Sequence, residues 1–256
     1  MLSYYLIITS ETNNHIIKHL VFYIALVFII ETGFSQNISG NELLNKAIAY
    51  HDPNGNWENF NGTLNVTMEI PNSPNRTTEI KINLPEEYFY SKARRENDII
   101  EFILKKDECE ILYNGSSDFS EEIAKEKRLS CDRANMYKNY YTYLYGLPMK
   151  LKDPGTIIEE KVELKKFKGK EYLVLKVTYK KEVGKDIWFF YFNPKIYAME
   201  IYQFFYSKKG SSEIDLATGE YILLSEEKTI NGIKLPKNRV WITNKDEKIL
   251  GTDILN

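Results

Sequence analysis

The chain has 256 residues, 43% hydrophobic and 27% charged, a globular balance that excludes a disordered or fibrous polypeptide. With 34 Lys and Arg against 36 Asp and Glu the net charge is -2, so long-range charge offers no footprint for nucleic acid or for an anionic lipid surface. Aromatic residues make up 14%, including 19 Tyr, and favour strands.

Residues 1–35 read as a signal peptide. Lys18 and His19 precede eleven apolar residues, Leu20 to Ile30, and Gly33-Phe34-Ser35 forms a small-x-small cleavage pattern. Eleven residues fall short of the roughly 20 a spanning helix needs, so export followed by cleavage is expected, with no stable transmembrane anchor in the mature chain. The mature part, 36–256, reads as a single domain. Its two cysteines, Cys109 and Cys131, form an even pair in an exported chain, for which a disulfide is the expectation.

After a polar start the helical pattern Leu43, Leu44, Ala47, Ile48 begins, with Asn41 as the predicted cap and a stop near His51-Asp52-Pro53. The period then changes to two. Leu64 to Ile70 alternates as a half-buried strand, ended by Pro71 and Pro74, and Ile80 to Leu84 repeats the pattern. Glu87 to Lys92, Ile99 to Leu104 and Glu110 to Tyr113 supply three more strands, and the five together read as an up-and-down meander. Between Asp118 and Lys152 alternation stops. Glu121 to Arg128 reads as a short helix, and Met136, Tyr137, Tyr140, Tyr141 and Leu144 recur at helical spacing until Gly146 and Pro148. This Tyr-rich insertion is either a plain cover for the sheet or a lid over a cavity.

Strands resume at Val162 to Phe167 and Glu171 to Tyr179, flanking the hairpin residues Lys168-Gly169. The segment Ile187 to Tyr206 is the most apolar of the mature chain: 15 of its 20 residues are apolar and 10 are aromatic. It reads as two strands around Asn193-Pro194-Lys195, with apolar side chains on both parities, so both faces of the sheet want cover. Tyr221 to Glu227 turns at Asn231-Gly232 into Ile233 to Leu235, after which Pro236 is expected to break the ladder. Val240 to Thr243 and Lys248 to Ile254 complete a second antiparallel meander.

The pattern of chemistry-bearing residues is sparse. His51 alone of three histidines lies in the mature part, which excludes a multi-His metal site and leaves one candidate general base, next to Asp52 at a helix end where a capping or loop role is expected. No nucleophile elbow, zinc-protease or phosphate-loop motif occurs. These absences point to a non-enzymatic protein without cofactor or metal.

The helix reading ELLNKAIAYHDPNGNWENFNGTLNV and the tracts YTYLYGLPMKLKDPGT, FYFNPKIYAMEIYQFF and INGIKLPKNRVW resemble a family of exported bacterial envelope proteins of unknown function. More distantly, the order helix, meander, helical insertion, meander is similar to the lipoprotein carriers LolA and LolB. The resemblance implies a mainly β (α+β) fold: a large curved antiparallel sheet, or incomplete β-barrel, covered by an N-terminal helix and a helical insertion. It also implies a periplasmic or secreted location and a hydrophobic guest, a lipid or lipoprotein acyl chain, in the concave face. The candidate contacts are Trp188, Phe190, Phe192, Tyr202 and Phe204 of the sheet with Tyr137, Tyr140 and Tyr141 of the insertion. The same residues admit an alternative: a filled core, with the tyrosines meeting an envelope protein partner and the chain acting as a scaffold.

Overall fold

Period-two alternation prevails over most of the chain, and every strand it makes pairs antiparallel with its neighbours. A computed structural model describes residues 38–208 and 213–256. The expected signal peptide, 1–35, lies outside the described residues. The first meander comprises β1 (Asn61–Ile70), β2 (Ser73–Asn83), β3 (Tyr88–Arg95), β4 (Asp98–Lys105) and β5 (Glu108–Tyr113). Short strands β6 (Thr156–Ile158) and β7 (Glu163–Phe167) then lie along one edge of β8 (Lys170–Tyr179). From β8 the second meander continues through β9 (Ile187–Phe192), β10 (Met199–Ser207), β11 (Ile214–Ile230), β12 (Ile233–Thr243) and β13 (Ile249–Leu255). β1 pairs with β13, Val66 opposite Leu255, and this fuses the two meanders into one 13-stranded open sheet.

Among the described residues three α-helices cover one face: α1 (Gly40–His51), α2 (Glu121–Lys127) and α3 (Cys131–Gly146). The contacts of α3 prove that the sheet is curled. Cys131, its first residue, is bonded to Cys109 on β5, while Tyr143, three turns on, packs its ring 5.6 Å from that of Trp188 on β9. In a flat sheet β5 and β9 lie nine inter-strand steps apart, roughly 43 Å at about 4.8 Å per step. Cys131 and Tyr143 are separated by only about 18 Å of helix. The two ends meet the same short helix only because the sheet wraps around it.

The inner face holds two continuous core clusters. Leu64, Ile80, Ile82, Phe89, Phe102 and Leu104 of the first meander pack on Ala134, Tyr141 and Tyr145 of α3. Phe190, Phe192, Tyr202 and Ile222 of the second pack under Leu43, Leu44 and Ala47 of α1 and Leu144 of α3. The outer face of the second meander is also apolar, as its double parity requires: Tyr172, Val174, Tyr191, Ile201, Tyr221 and Ile242 form a third cluster. Phe167, at the end of the β7–β8 hairpin, lies over this layer with ring centroids 5.3 Å from Tyr191 and 5.4 Å from Tyr221.

Three local expectations are corrected, and one strand is added. Helix α1 is capped by Ser39, not Asn41: the Ser39 side chain accepts from the Glu42 N–H and Glu42 reaches back to the Ser39 N–H, a capping box that S-x-x-E encodes. Pro74 does not end a strand but lies in β2. Pro236 does not break β12. It stands opposite Glu227, and counting from the Asn231-Gly232 hairpin places it at a position whose N–H would point away from β11, where β13 has already run out. The short β6 was not expected at all.

Candidate functional site

Helix α3 divides the concave side, and both its ends are fastened. At its start stands the Cys109–Cys131 disulfide, which closes a separation of 22 residues. Beneath its last turn Arg239, 1% exposed, points its guanidinium at the Leu144 carbonyl (3.5 Å) and lies 4.2 Å from the centre of the Tyr145 ring. A cation at a helix C-terminus meets the partial negative charge of the unpaired carbonyls. Across the strand pair from Arg239, Asp253 accepts from Trp241 Nε1 at 2.9 Å, and burial raises its pKa above the usual carboxylate value.

Helical spacing sends the tyrosines of α3 to different sides. Tyr137 and Tyr141, four residues apart, stack in a row with Phe102, Phe89 and Tyr145 over the first meander. Tyr140 and Tyr143 face the second. There Trp188 and Phe204 stack at 4.9 Å, Tyr140 stacks on Trp241 at 6.2 Å, and Tyr143 shares a hydroxyl–hydroxyl hydrogen bond with Tyr179. Between them an open cleft of about 470 Å³ remains, completed by Met68, Leu250 and Tyr206. Its lining is mostly apolar and includes two carboxylates, Asp186 and Glu220. Burial raises the pKa of both carboxyls.

The far end of this cleft is shaped by a bulge. Gly219 takes φ +71, and a Cβ there would lie 2.0 Å from the Phe204 carbonyl oxygen, so only glycine fits where β10 and β11 shift register. Asn244 holds the bulge by donating to the carbonyls of Phe204 (2.9 Å) and Thr218 (2.8 Å).

The predicted sheet residues therefore divide. Phe190, Phe192 and Tyr202 are fully buried in the core with α1 and α3 and do not line the cleft. Trp188 and Phe204 remain half-buried and line the cleft with Tyr140. Tyr137 and Tyr141 lie on the opposite side of α3. Sequence reasoning missed Tyr143, Trp241 and Tyr206 at the cleft. Trp241 shows its inward parity through Val240 and Ile242 on either side, but that period-two signal does not say which inner position stays open.

His51 is placed away from the cleft. It is 2% exposed, its Nδ1–H donates to the Lys234 carbonyl (2.8 Å) and its Nε2 accepts from the Met199 N–H (2.9 Å), which ties α1 to β12 and to β10. Both ring nitrogens are thus engaged with backbone, and burial lowers the pKa. The neighbouring Asp52 accepts from the N–H groups of Asn56 and Trp57, each at 2.8 Å, and so holds the following turn. Among the described residues no group of His, Cys, Asp and Glu is placed to hold a metal ion, and no helix is long and apolar enough to cross a membrane.

No curated protein matches the chain in sequence. Among solved structures it is distantly similar to a LolA superfamily protein of Nitrosomonas europaea, at 10% identity and TM-score 0.46, covering 86% of this chain and 92% of that one. A DUF1329 family protein from Desulfovibrio piger is similar at 9% identity and TM-score 0.44, with coverage of 86% and 92%. The family model of DUF6503, a family of unknown function, matches residues 18–255, and the chain belongs to that family.

Proposed function

We propose that this chain is an exported, non-enzymatic binding protein that takes a hydrophobic ligand, a lipid or lipoprotein acyl chain, in the open cleft of the concave face. The observation that supports the reading is an aromatic inner face that is sealed at Phe190, Phe192 and Tyr202 but left half-open at Trp188 and Phe204, beside the buried Trp241. Each methylene placed there would contribute about 0.8 kcal/mol of apolar burial. Trp188 and Phe204 supply wide, flat contact without long flexible side chains to immobilise.

The test is mass spectrometry of the exported chain purified without detergent, native against denaturing. An adduct of lipid mass that dissociates on denaturation, and that is lost from a folded Trp188→Ala, Phe204→Ala double variant, is the expected result. A clean mass for the wild type, with no uptake of an added fatty acid, would overturn the reading. The partner-binding alternative retains one specific observation: Met136 and Tyr140 stand exposed together on α3, at 41% and 36%. A pull-down whose partner is lost on Met136→Ser, which lies outside the cleft, with lipid uptake intact, would favour it.

A further inference from the structure

A second cavity, of about 230 Å³, lies on the other side of α3, and its chemistry is different. Five cationic side chains surround it: Arg76 of β2, Arg95 of β3, Lys127 and Arg128 at the end of α2, and Arg133 of α3. One carboxylate, Asp98, faces them, and it is occupied. Its Oδ2 accepts from Lys127 Nζ at 2.8 Å and its Oδ1 from the Tyr113 hydroxyl at 2.6 Å. The Lys127 bond holds the Asp98 pKa below the usual carboxylate value.

The two sheet arginines are the informative pair. Thr77 of β2 stands opposite Arg94 of β3, so one step outward Arg76 and Arg95 face each other across neighbouring strands. Period two places both on the inner face, in line with Ile80 and Phe89. Like charges at directly opposed positions repel, and a charge withdrawn from water needs a partner. Yet the Nε atoms of Arg76 and Arg95 are buried without a hydrogen-bond partner, and among the described residues Arg95 has no ion-pair partner. Arg76 hydrogen-bonds the Tyr141 hydroxyl at 3.4 Å and is attracted by Asp253, which lies on the far side of Met68 of β1 and already accepts from Trp241, while Arg133 lies over the Tyr137 ring and touches its hydroxyl at 3.2 Å.

An apolar protein core gains nothing from such a cluster, whereas an oxyanion would meet several guanidinium forks at once. We propose that this cavity is a binding site for a phosphate-class oxyanion, with Arg76, Arg95 and Arg133 as its direct ligands. The wall formed by Ile100, Phe102 and Tyr137 continues the site as an apolar surface. That surface would receive the first carbons of an organic phosphate.

Calorimetric titration of the whole chain with inorganic phosphate, dodecyl phosphate below its micelle concentration, and dodecyl alcohol tests the proposal. Arg95→Gln is the variant of choice because it breaks no native pair. It is expected to weaken binding of inorganic and dodecyl phosphate at least tenfold, to leave dodecyl alcohol unaffected, and to unfold at the same or a higher temperature than wild type in phosphate-free buffer. Arg133→Gln should weaken phosphate binding likewise, and Lys166→Gln, exposed on β7, should not. Dodecyl phosphate binding far more tightly than inorganic phosphate would identify a lipid headgroup as the source; equal affinities would identify a free oxyanion. Absence of phosphate binding to wild type, or Arg95→Gln binding unchanged while stability falls, would overturn the site and leave the arginines a structural role. Phosphate binding that survives Trp188→Ala, Phe204→Ala separates this site from the aromatic cleft.

Discussion

The two meanders of this sheet solve the same problem in opposite ways. The second, from β8 to β12, is apolar on both faces, and each face receives a layer: α1 and the end of α3 inside, the Phe167 hairpin outside. The first, from β1 to β5, is apolar on one face only, and toward the rim of that face its apolar positions give way to Arg76 and Arg95. One sheet thus carries an aromatic opening and a basic one, separated by a single helix fastened at both ends. The difference teaches that α3 is less a lid than a partition, because its tyrosines are distributed to both sides by helical spacing.

The largest expected effect comes from the sealed core of the aromatic half. Phe190→Ala should cost about 3–5 kcal/mol, the range of a filled aromatic core position, whereas Trp188→Ala at the half-open cleft should cost clearly less. Urea unfolding of the two variants measures the difference; equal losses would mean that Trp188 is core and the cleft is closed. Next is the partition itself. Replacing Cys109 and Cys131 by Ser releases a 22-residue separation and should cost roughly 3 kcal/mol in the chain-entropy model. Because α3 borders both openings, faster amide exchange over Ala134–Tyr145 should accompany the loss.

A smaller effect is expected on the outer face. Phe167→Ala strips a half-buried ring from Tyr191 and Tyr221 and should cost about 1–2 kcal/mol while leaving both inner openings unchanged. Thermal unfolding with a ligand titration checks both statements. The smallest is a pH effect at His51. Burial lowers its folded pKa, so the folded chain keeps the ring neutral while the unfolded chain takes up a proton. The stability it contributes is full above about pH 6.5, the ordinary value, and is lost as pH falls from there toward the folded pKa. Asp186, Glu220 and Asp253, whose carboxyl pKa values are raised by burial, act with the opposite sign. Comparing wild type with His51→Gln cancels them: the slope of Tm between pH 7.5 and 5 should be shallower in the variant.

Much of the fold is legible because alternation and turn chemistry are local. Leu64 to Ile70, the Asn231-Gly232 hairpin and the helical run around Tyr137 to Leu144 each announce their element within one window, and the structure places those elements there. At the start of α1, Asn41 and the Ser39 of S-x-x-E compete as caps, and the backbone geometry favours Ser39. Pro74 and Pro236 lie within strands because a missing N–H matters only where a neighbouring strand asks for it. In the site, the sequence identified an aromatic supply but not its allocation: Phe190 and Trp188 share a parity, and only the position of α1 and α3 above them decides which is sealed.

By itself, then, the sequence determined the strand and helix types, the demand for cover on both faces of Ile187 to Tyr206, and the availability of a single cysteine pair. These depend on residue spacing along one chain. Tertiary structure alone decided that β1 joins β13, that the sheet curls about a 16-residue helix, and that Arg76 and Arg95 stand opposed beneath it. Those relations couple residues as far apart as Val66 and Leu255, and no local period carries the information that brings them together.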